Sequence, residues 1–212
     1  MIKGIIYDLD GTIISTTKFH EKAWIEAGKI FNINIPRDFL INQRGMTNEA
    51  ATKMLIPNDE EKLKSFVKAK EEYVIENAGK VDLFKGFKKT CEYLLSKSIK
   101  VWVCTSAPKE FVEKVYRGIP FLSKLEDKTV WREMYKNGKP DAEPILLTLN
   151  KMNLLTEEAI YVGDAYSDYL SSTNADCNFV YFCPDDNNKD NRVPKSTPII
   201  TSHKELTKFL IV

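Results

Sequence analysis

Asp8 and Asp10 stand two residues apart in D-L-D-G-T, directly after the apolar run Ile5, Ile6, Tyr7 and directly before Gly11 and Thr12. Asp and Gly are common turn residues, so the stretch reads as a buried strand closing on a solvated turn. It also reads as a strand delivering two carboxylates to the mouth of a sheet, where a metal or a phosphate binds. Side chains two apart on an extended chain point to the same side, so both acids can face one ligand. An EF-hand calcium loop does not fit, because its D-x-[DN]-x-[DN]-G pattern fails at Thr12 and no glutamate closes the loop.

Three further polar stretches follow. C-T-S at 104–106 and G-D-A-Y-S-D at 163–168 each close a β-rich run, and G-K-P at 138–140 lies between them. Each has an ordinary reading. Thr105 and Ser106 serve as a helix cap, Lys139 as a solvated loop residue, and Asp168 as a first-turn acid that stabilises a helix dipole.

Taken in order, D-L-D-G-T, C-T-S, G-K-P and G-D-A-Y-S-D resemble the four motifs of the haloacid dehalogenase-like phosphohydrolase superfamily. The likeness is to its members with a helical cap after the first motif, such as phosphoglycolate phosphatases and β-phosphoglucomutases. It runs from Ile2 to about Cys183. The resemblance implies that Asp8 is a nucleophile attacking phosphorus to give an aspartyl-phosphate. It implies that Asp10 protonates the leaving alcohol and then activates water, while its backbone carbonyl ligates metal. Thr105 and the Ser106 N–H would hold phosphoryl oxygens, with Gly11 and Thr12 beside them, and Lys139 would neutralise the nucleophile and the transferring group. Asp8, Asp10 and Asp164 would bind Mg²⁺, with Asp168 supporting. An ionised carboxylate needs no activating base, but the phosphate dianion repels it, and a divalent cation removes that repulsion.

These residues need elements to position them. Strand signals are expected at the first motif, in the run 100–108, in the run 159–168 and at 178–184, with a further strand near Thr129 to Arg132. Helical period appears in Phe87, Cys91, Leu94 and Leu95, and Asp141 to Lys151 begins with an N-cap and a first-turn proline. Strands alternating with helices imply an α/β fold: a three-layer Rossmann-like core around a parallel sheet, with ligands outside the carboxyl ends of its strands.

Residues 15–80 break this alternation and read as an inserted α-helical cap domain, leaving 1–14 and 81–212 as the core. One helix should bury Phe19, Ala23, Ala27 and Ile30. Another starts from a Thr47 cap. A third starts near Asn58 to Glu61, turns Leu63, Phe66, Val67, Tyr73 and Val74 inward and stops at Gly79. Hinges are expected at 12–17 and 79–86. The cap offers His20, Lys22, Trp24, Arg44, Gly45, Met46, Thr47 and Lys70 toward the substrate, although Trp24, Phe31 and Phe39 read better as cap core. His20 and the Arg44-Gly45 loop resemble substrate contacts of the phosphoglucomutase branch. The arginine that follows there is Asn48 here.

The bulk composition, 43% hydrophobic and 29% charged, is ordinary for a soluble globular protein. Thirty-one basic residues against 30 acidic ones give a net charge of +1, which offers no field for nucleic acid or an anionic membrane. Four scattered cysteines and two histidines make no zinc or disulfide framework. With no signal-like leader or 18-residue apolar run, the expected place is the cytoplasm. The expected activity is Mg²⁺-dependent hydrolysis of a small phosphorylated metabolite of sugar phosphate, phosphoglycolate or nucleotide type, by a monomer or homodimer. A sugar-phosphate mutase and a non-catalytic phosphometabolite-binding protein are the alternatives. The charged segment 117–135 and the polar loop 185–192 receive no functional reading.

Overall fold

The computed structural model describes residues 1–43, 46, 48–184 and 189–210. In chain order its elements are β1 (Gly4–Tyr7), β2 (Ile14–Ser15), α1 (Thr17–Phe31), α2 (Arg37–Asn42), α3 (Asn48–Leu55), α4 (Glu60–Asn77), β3 (Asp82–Leu83), α5 (Phe87–Ser96), β4 (Lys100–Cys104), α6 (Lys109–Gly118), β5 (Thr129–Val130), α7 (Glu143–Met152), β6 (Ala159–Gly163), α8 (Tyr166–Asn174), β7 (Asn178–Phe182) and β8 (Ile199–Ile200). Short 3₁₀ turns join several of them.

Six strands form one parallel sheet in the order β5-β4-β1-β6-β7-β8. The chain runs outward from β1 to one side through β4 and β5, then to the other through β6, β7 and β8, so the switch point lies at β1. Every residue of β1 is buried, because helices cover both faces of the sheet. Alternation sends Ile5 and Tyr7 into one apolar layer with Val101, Val103 and Val162, and Ile6 into the other with Ile145 and Tyr161. Register then fixes the site: Tyr7 pairs with Val103 on one side and Val162 on the other. Asp8, Thr105 and Asp164 therefore leave the sheet at one edge, within a residue or so of the same level.

The helices α1–α4 gather a separate apolar core from Trp24, Ala27, Phe39, Ala51, Ile56 and Phe66. The α1 stripe differs from the expectation. It buries Ala23, Trp24, Ala27 and Gly28, while Ile30 is 67% exposed, because Trp24 rather than Phe19 centres the face on Phe39 and Phe66. The start of α4 is capped by Asp59, whose carboxylate accepts from the Lys62 N–H at 2.9 Å. Thr47 lies outside the described residues. Where hinges were expected, β2 and β3 pair as a two-stranded antiparallel ribbon, which the sequence did not announce; β8 was likewise unforeseen. The strand expected near Thr129 is present as the edge strand β5.

His203, in the last 3₁₀ segment, is fully buried among Tyr7, Phe84, Phe87 and Phe182, with its ring stacked 4.4 Å from Phe182. Burial lowers its pKa from 6.5 to about 4. A base depressed in this way favours the folded state fully above its unfolded pKa, and the unfolded chain gains an extra proton as pH falls toward the folded value. Stability should accordingly drop by roughly 2 kcal/mol between about pH 7 and pH 5 from this group. Urea unfolding at the two pH values should show a smaller drop in His203→Phe.

Candidate active site

The polar strand ends converge as register requires. Lys139, only 5% exposed at its side chain, places Nζ 2.6 Å from Asp8 Oδ1 and 2.7 Å from Asp168 Oδ1. The Asp8 backbone N–H donates to the Val162 carbonyl at 2.9 Å, which locks the nucleophile candidate to the end of β6. Asp164 Oδ1 accepts from Thr12 Oγ1 at 3.2 Å. Gly11 has φ +75°, and a Cβ there would lie 2.1 Å from Asp164 Oδ2, so both its dihedral and the closeness of the loops demand glycine.

Charge decides what else the cluster needs. Asp8, Asp164 and Asp168 offer carboxylate oxygens within 4.8 Å of one another, against the Lys139 ammonium. Burial, opposed by Lys139 and reinforced by Asp168, raises the Asp8 carboxyl from 3.8 to about 7. Asp164 is also held well above the usual carboxylate range, by burial and by the charges of Asp168 and Asp8. Lys139 would be lowered by burial, yet Asp168 and Asp8 hold it well above an ordinary lysine. Carboxyls raised first by burial and then by one another's charge are costly to keep ionised, and a hard divalent cation with oxygen ligands would favour their ionised form.

The donor set fits such an ion unevenly. Asp168 has both oxygens engaged: Oδ1 takes Lys139 and the Tyr161 hydroxyl, and Oδ2 takes the Ala165 N–H at 3.1 Å. Asp8 and Asp164 are the better ligands, and Asp168 sits behind them holding the lysine. Asp10 keeps one carboxylate oxygen buried without a hydrogen bond, with His20 Nε2 3.7 Å away.

A cavity of about 470 Å³ joins these groups to α1–α4, lined among others by Asp8, Asp10, Lys139 and Asp164 from the sheet edge and by His20 and Lys70 opposite. Thr105 and Ser106 also line it, and the Thr105 hydroxyl accepts from the Ala107 N–H at 3.0 Å. Thr12 is fully buried, with its hydroxyl turned to Asp164 rather than to the cavity. Lys22 is exposed and outside the lining. Arg44 and Gly45 lie outside the described residues.

Two tyrosines complete the surroundings, and sequence reasoning missed both. Tyr135 donates to the Thr105 carbonyl at 2.9 Å, which gives segment 117–135 a role in fixing the second motif. Tyr161 reaches Asp168 from β6. Period-two alternation put Tyr161 on the face of Gly163, and a hydroxyl inside an apolar strand needs a partner.

A parallel α/β sheet whose strand ends collect acids, a lysine and a hydroxyl beneath a helical wall is the arrangement of an α/β enzyme with its site at the carboxyl ends of its strands. A family model described as haloacid dehalogenase-like hydrolase matches residues 5–182, and the chain belongs to that family. It is 25% identical to the phosphorylated carbohydrates phosphatase of Thermotoga maritima, across 85% of this chain and 84% of that protein. It is 23% identical to the pyrophosphatase PpaX of Oceanobacillus iheyensis, across 82% and 80%. The fold superposes with a TM-score of 0.84 on a family IA, variant 3 hydrolase from Entamoeba histolytica, at 20% identity and covering 96% of this chain and 95% of that one. It gives 0.80 with CbbY from Rhodobacter sphaeroides in complex with phosphate, at 17% identity, covering 97% and 96%. Among the described residues, no helix is long and apolar enough to cross a membrane.

Proposed function

We propose that this protein is a Mg²⁺-dependent phosphatase that hydrolyses a small phosphomonoester through an aspartyl-phosphate on Asp8. The observation that carries the reading is the Lys139 bridge between Asp8 and Asp168, set beside Asp164 at the end of β1. Asp8 and Asp164, with the Asp10 backbone carbonyl, would hold Mg²⁺, which supplies charge neutralisation and orientation of the phosphate. Asp8 attacks phosphorus in line while Lys139 and Thr105 hold the equatorial oxygens. Asp10 gives its proton to the leaving oxygen, then takes one from the water that attacks the adduct. His20, 3.7 Å from Asp10, is placed to orient that carboxyl.

Residues 15–80 act, in this reading, as a cap that selects the leaving group. A second lobe of about 380 Å³ opens beyond Asp10, with Asn48, Lys70 and Glu71 on one wall and Val74, Ile75 and Phe111 among its apolar lining. Polar groups facing a carbon surface suit a sugar phosphate better than pyrophosphate, which has no apolar face. Lys70 is 5% exposed. It donates to Asn48 Oδ1 at 2.8 Å and lies 5.2 Å from the Trp24 ring centre, and burial lowers its pKa to about 8. Lys70→Met is expected to raise KM for a sugar phosphate about tenfold with a smaller change in kcat, measured by phosphate release. Asn48 stands where the mutase branch has an arginine, which weakens the mutase reading, since a bisphosphate intermediate needs a second phosphate grip.

The experiment is a phosphate-release assay over sugar phosphates, phosphoglycolate, nucleotides and pyrophosphate with Mg²⁺. Chelation should cut turnover at least about a hundredfold and added Mg²⁺ should restore it. Turnover that persists under chelation contradicts the metal assignment. Isomerised sugar phosphate in place of free phosphate would turn the reading toward a mutase.

A further inference from the structure

We propose that Tyr161 is a positioning residue for the reaction, setting Lys139 against Asp8 through Asp168; the inference rests on the phosphatase reading above. Tyr161 is fully buried on β6, and its hydroxyl lies 3.1 Å from Asp168 Oδ1 and 3.3 Å from the Cys104 carbonyl. One O–H proton serves one acceptor well, and the charged carboxylate is both nearer and stronger. That same oxygen, Asp168 Oδ1, receives Lys139 Nζ. The Lys139 ammonium also stands 5.2 Å from the centre of the Tyr161 ring, close enough for its charge to be attracted to the ring face.

Tyr161 thus acts on the lysine twice, by the hydroxyl that fixes its anchoring carboxylate and by the ring beneath its charge. Asp168 without that hydroxyl keeps the Ala165 N–H on Oδ2 but loses one of the two donors that set Oδ1. The ammonium is then free to follow a less constrained carboxylate away from Asp8. Outer groups of this kind change rate by misplacing the inner ones rather than by touching substrate. Phe179 stacks on the Tyr161 ring at 6.3 Å and nearly parallel to it, and the fully buried ring has little room to rotate.

The test compares Tyr161→Phe, which keeps the ring, with Tyr161→Leu, which removes both ring and hydroxyl, each measured on an aryl phosphate with Mg²⁺. Tyr161→Phe should lower kcat about tenfold with KM within about twofold of wild type, and Tyr161→Leu should lower kcat about a hundredfold. In an Asp168→Asn background, Tyr161→Phe should cost less than about twofold more, because its route to Lys139 is already broken. Circular dichroism and thermal melts check that each variant is folded; phenylalanine preserves the shape of the side chain. Unchanged kcat in a folded Tyr161→Phe, or losses that multiply in the Asp168→Asn background, would overturn the proposal while leaving the phosphatase reading standing. A wild-type protein that releases no phosphate would overturn both.

Discussion

Asp8→Asn should reduce kcat on an aryl phosphate by at least about 10⁴, with the protein still folded and still able to bind Mg²⁺ through Asp164. The amide is nearly isosteric but has no charge with which to attack phosphorus. Its effect on stability should run the other way. Asp8 is held at about 7 in the folded protein against 3.8 unfolded. A carboxyl raised in this way costs stability as pH climbs from the unfolded value through the folded one. Asparagine escapes that cost, so Asp8→Asn should melt no lower than wild type at neutral pH. A site that stores unfavourable charge for chemistry is expected to trade stability for activity. Steady-state kinetics and melts on the same preparation check both halves.

Lys139→Met should lose activity and stability together. The ammonium is the one positive charge in contact with Asp8 and Asp168 in the site as described. Without it the developing charge on the phosphoryl group loses a fixed donor, worth about 10²–10³ in kcat/KM. Two buried carboxylates are also left without their counter-ion, which costs about 3–5 kcal/mol by comparison with broken buried ion pairs. Denaturant unfolding at neutral pH measures the second effect, and it should shrink as pH falls and Asp8, held at about 7, becomes protonated. Lys139→Arg should restore little activity, because a planar guanidinium cannot sit between the two oxygens as a compact ammonium does.

Much of this arrangement was legible in the residues. Apolar runs ending in D-L-D-G-T, C-T-S and G-D gave the strands β1, β4 and β6 and the edge where their ends meet, because a strand buried on both faces leaves a near-continuous apolar signature. Lys139 was placed by motif order alone, since nothing about N-G-K-P distinguishes it from a solvated loop. The partners of that lysine were less visible. Asp168 reads as a first-turn acid, and its engagement with Lys139 depends on how α8 packs over β6. Tyr161 and Tyr135 are ordinary aromatic residues in sequence, and only tertiary packing brings their hydroxyls to Asp168 and to the Thr105 carbonyl. The α1 face was misjudged at Ile30 because period alone weighs all apolar residues alike, whereas the large Trp24 ring decides which stripe faces inward. Of the two-residue strands, β5 was expected near Thr129, whereas β2, β3 and β8 carry too little pattern to be read.

On the proposed mechanism the phosphoryl group passes through Asp8, and Asp10 governs its departure. Asp10→Ala, given an aryl phosphate whose leaving group needs no proton, isolates the second step. A stoichiometric burst of the phenolate should be followed by slow turnover, and acid-quenched peptide mass spectrometry should find phosphate on the segment that contains Asp8. Linear release with no burst, at a rate matching free phosphate and with Asp8 unmodified, would contradict the account.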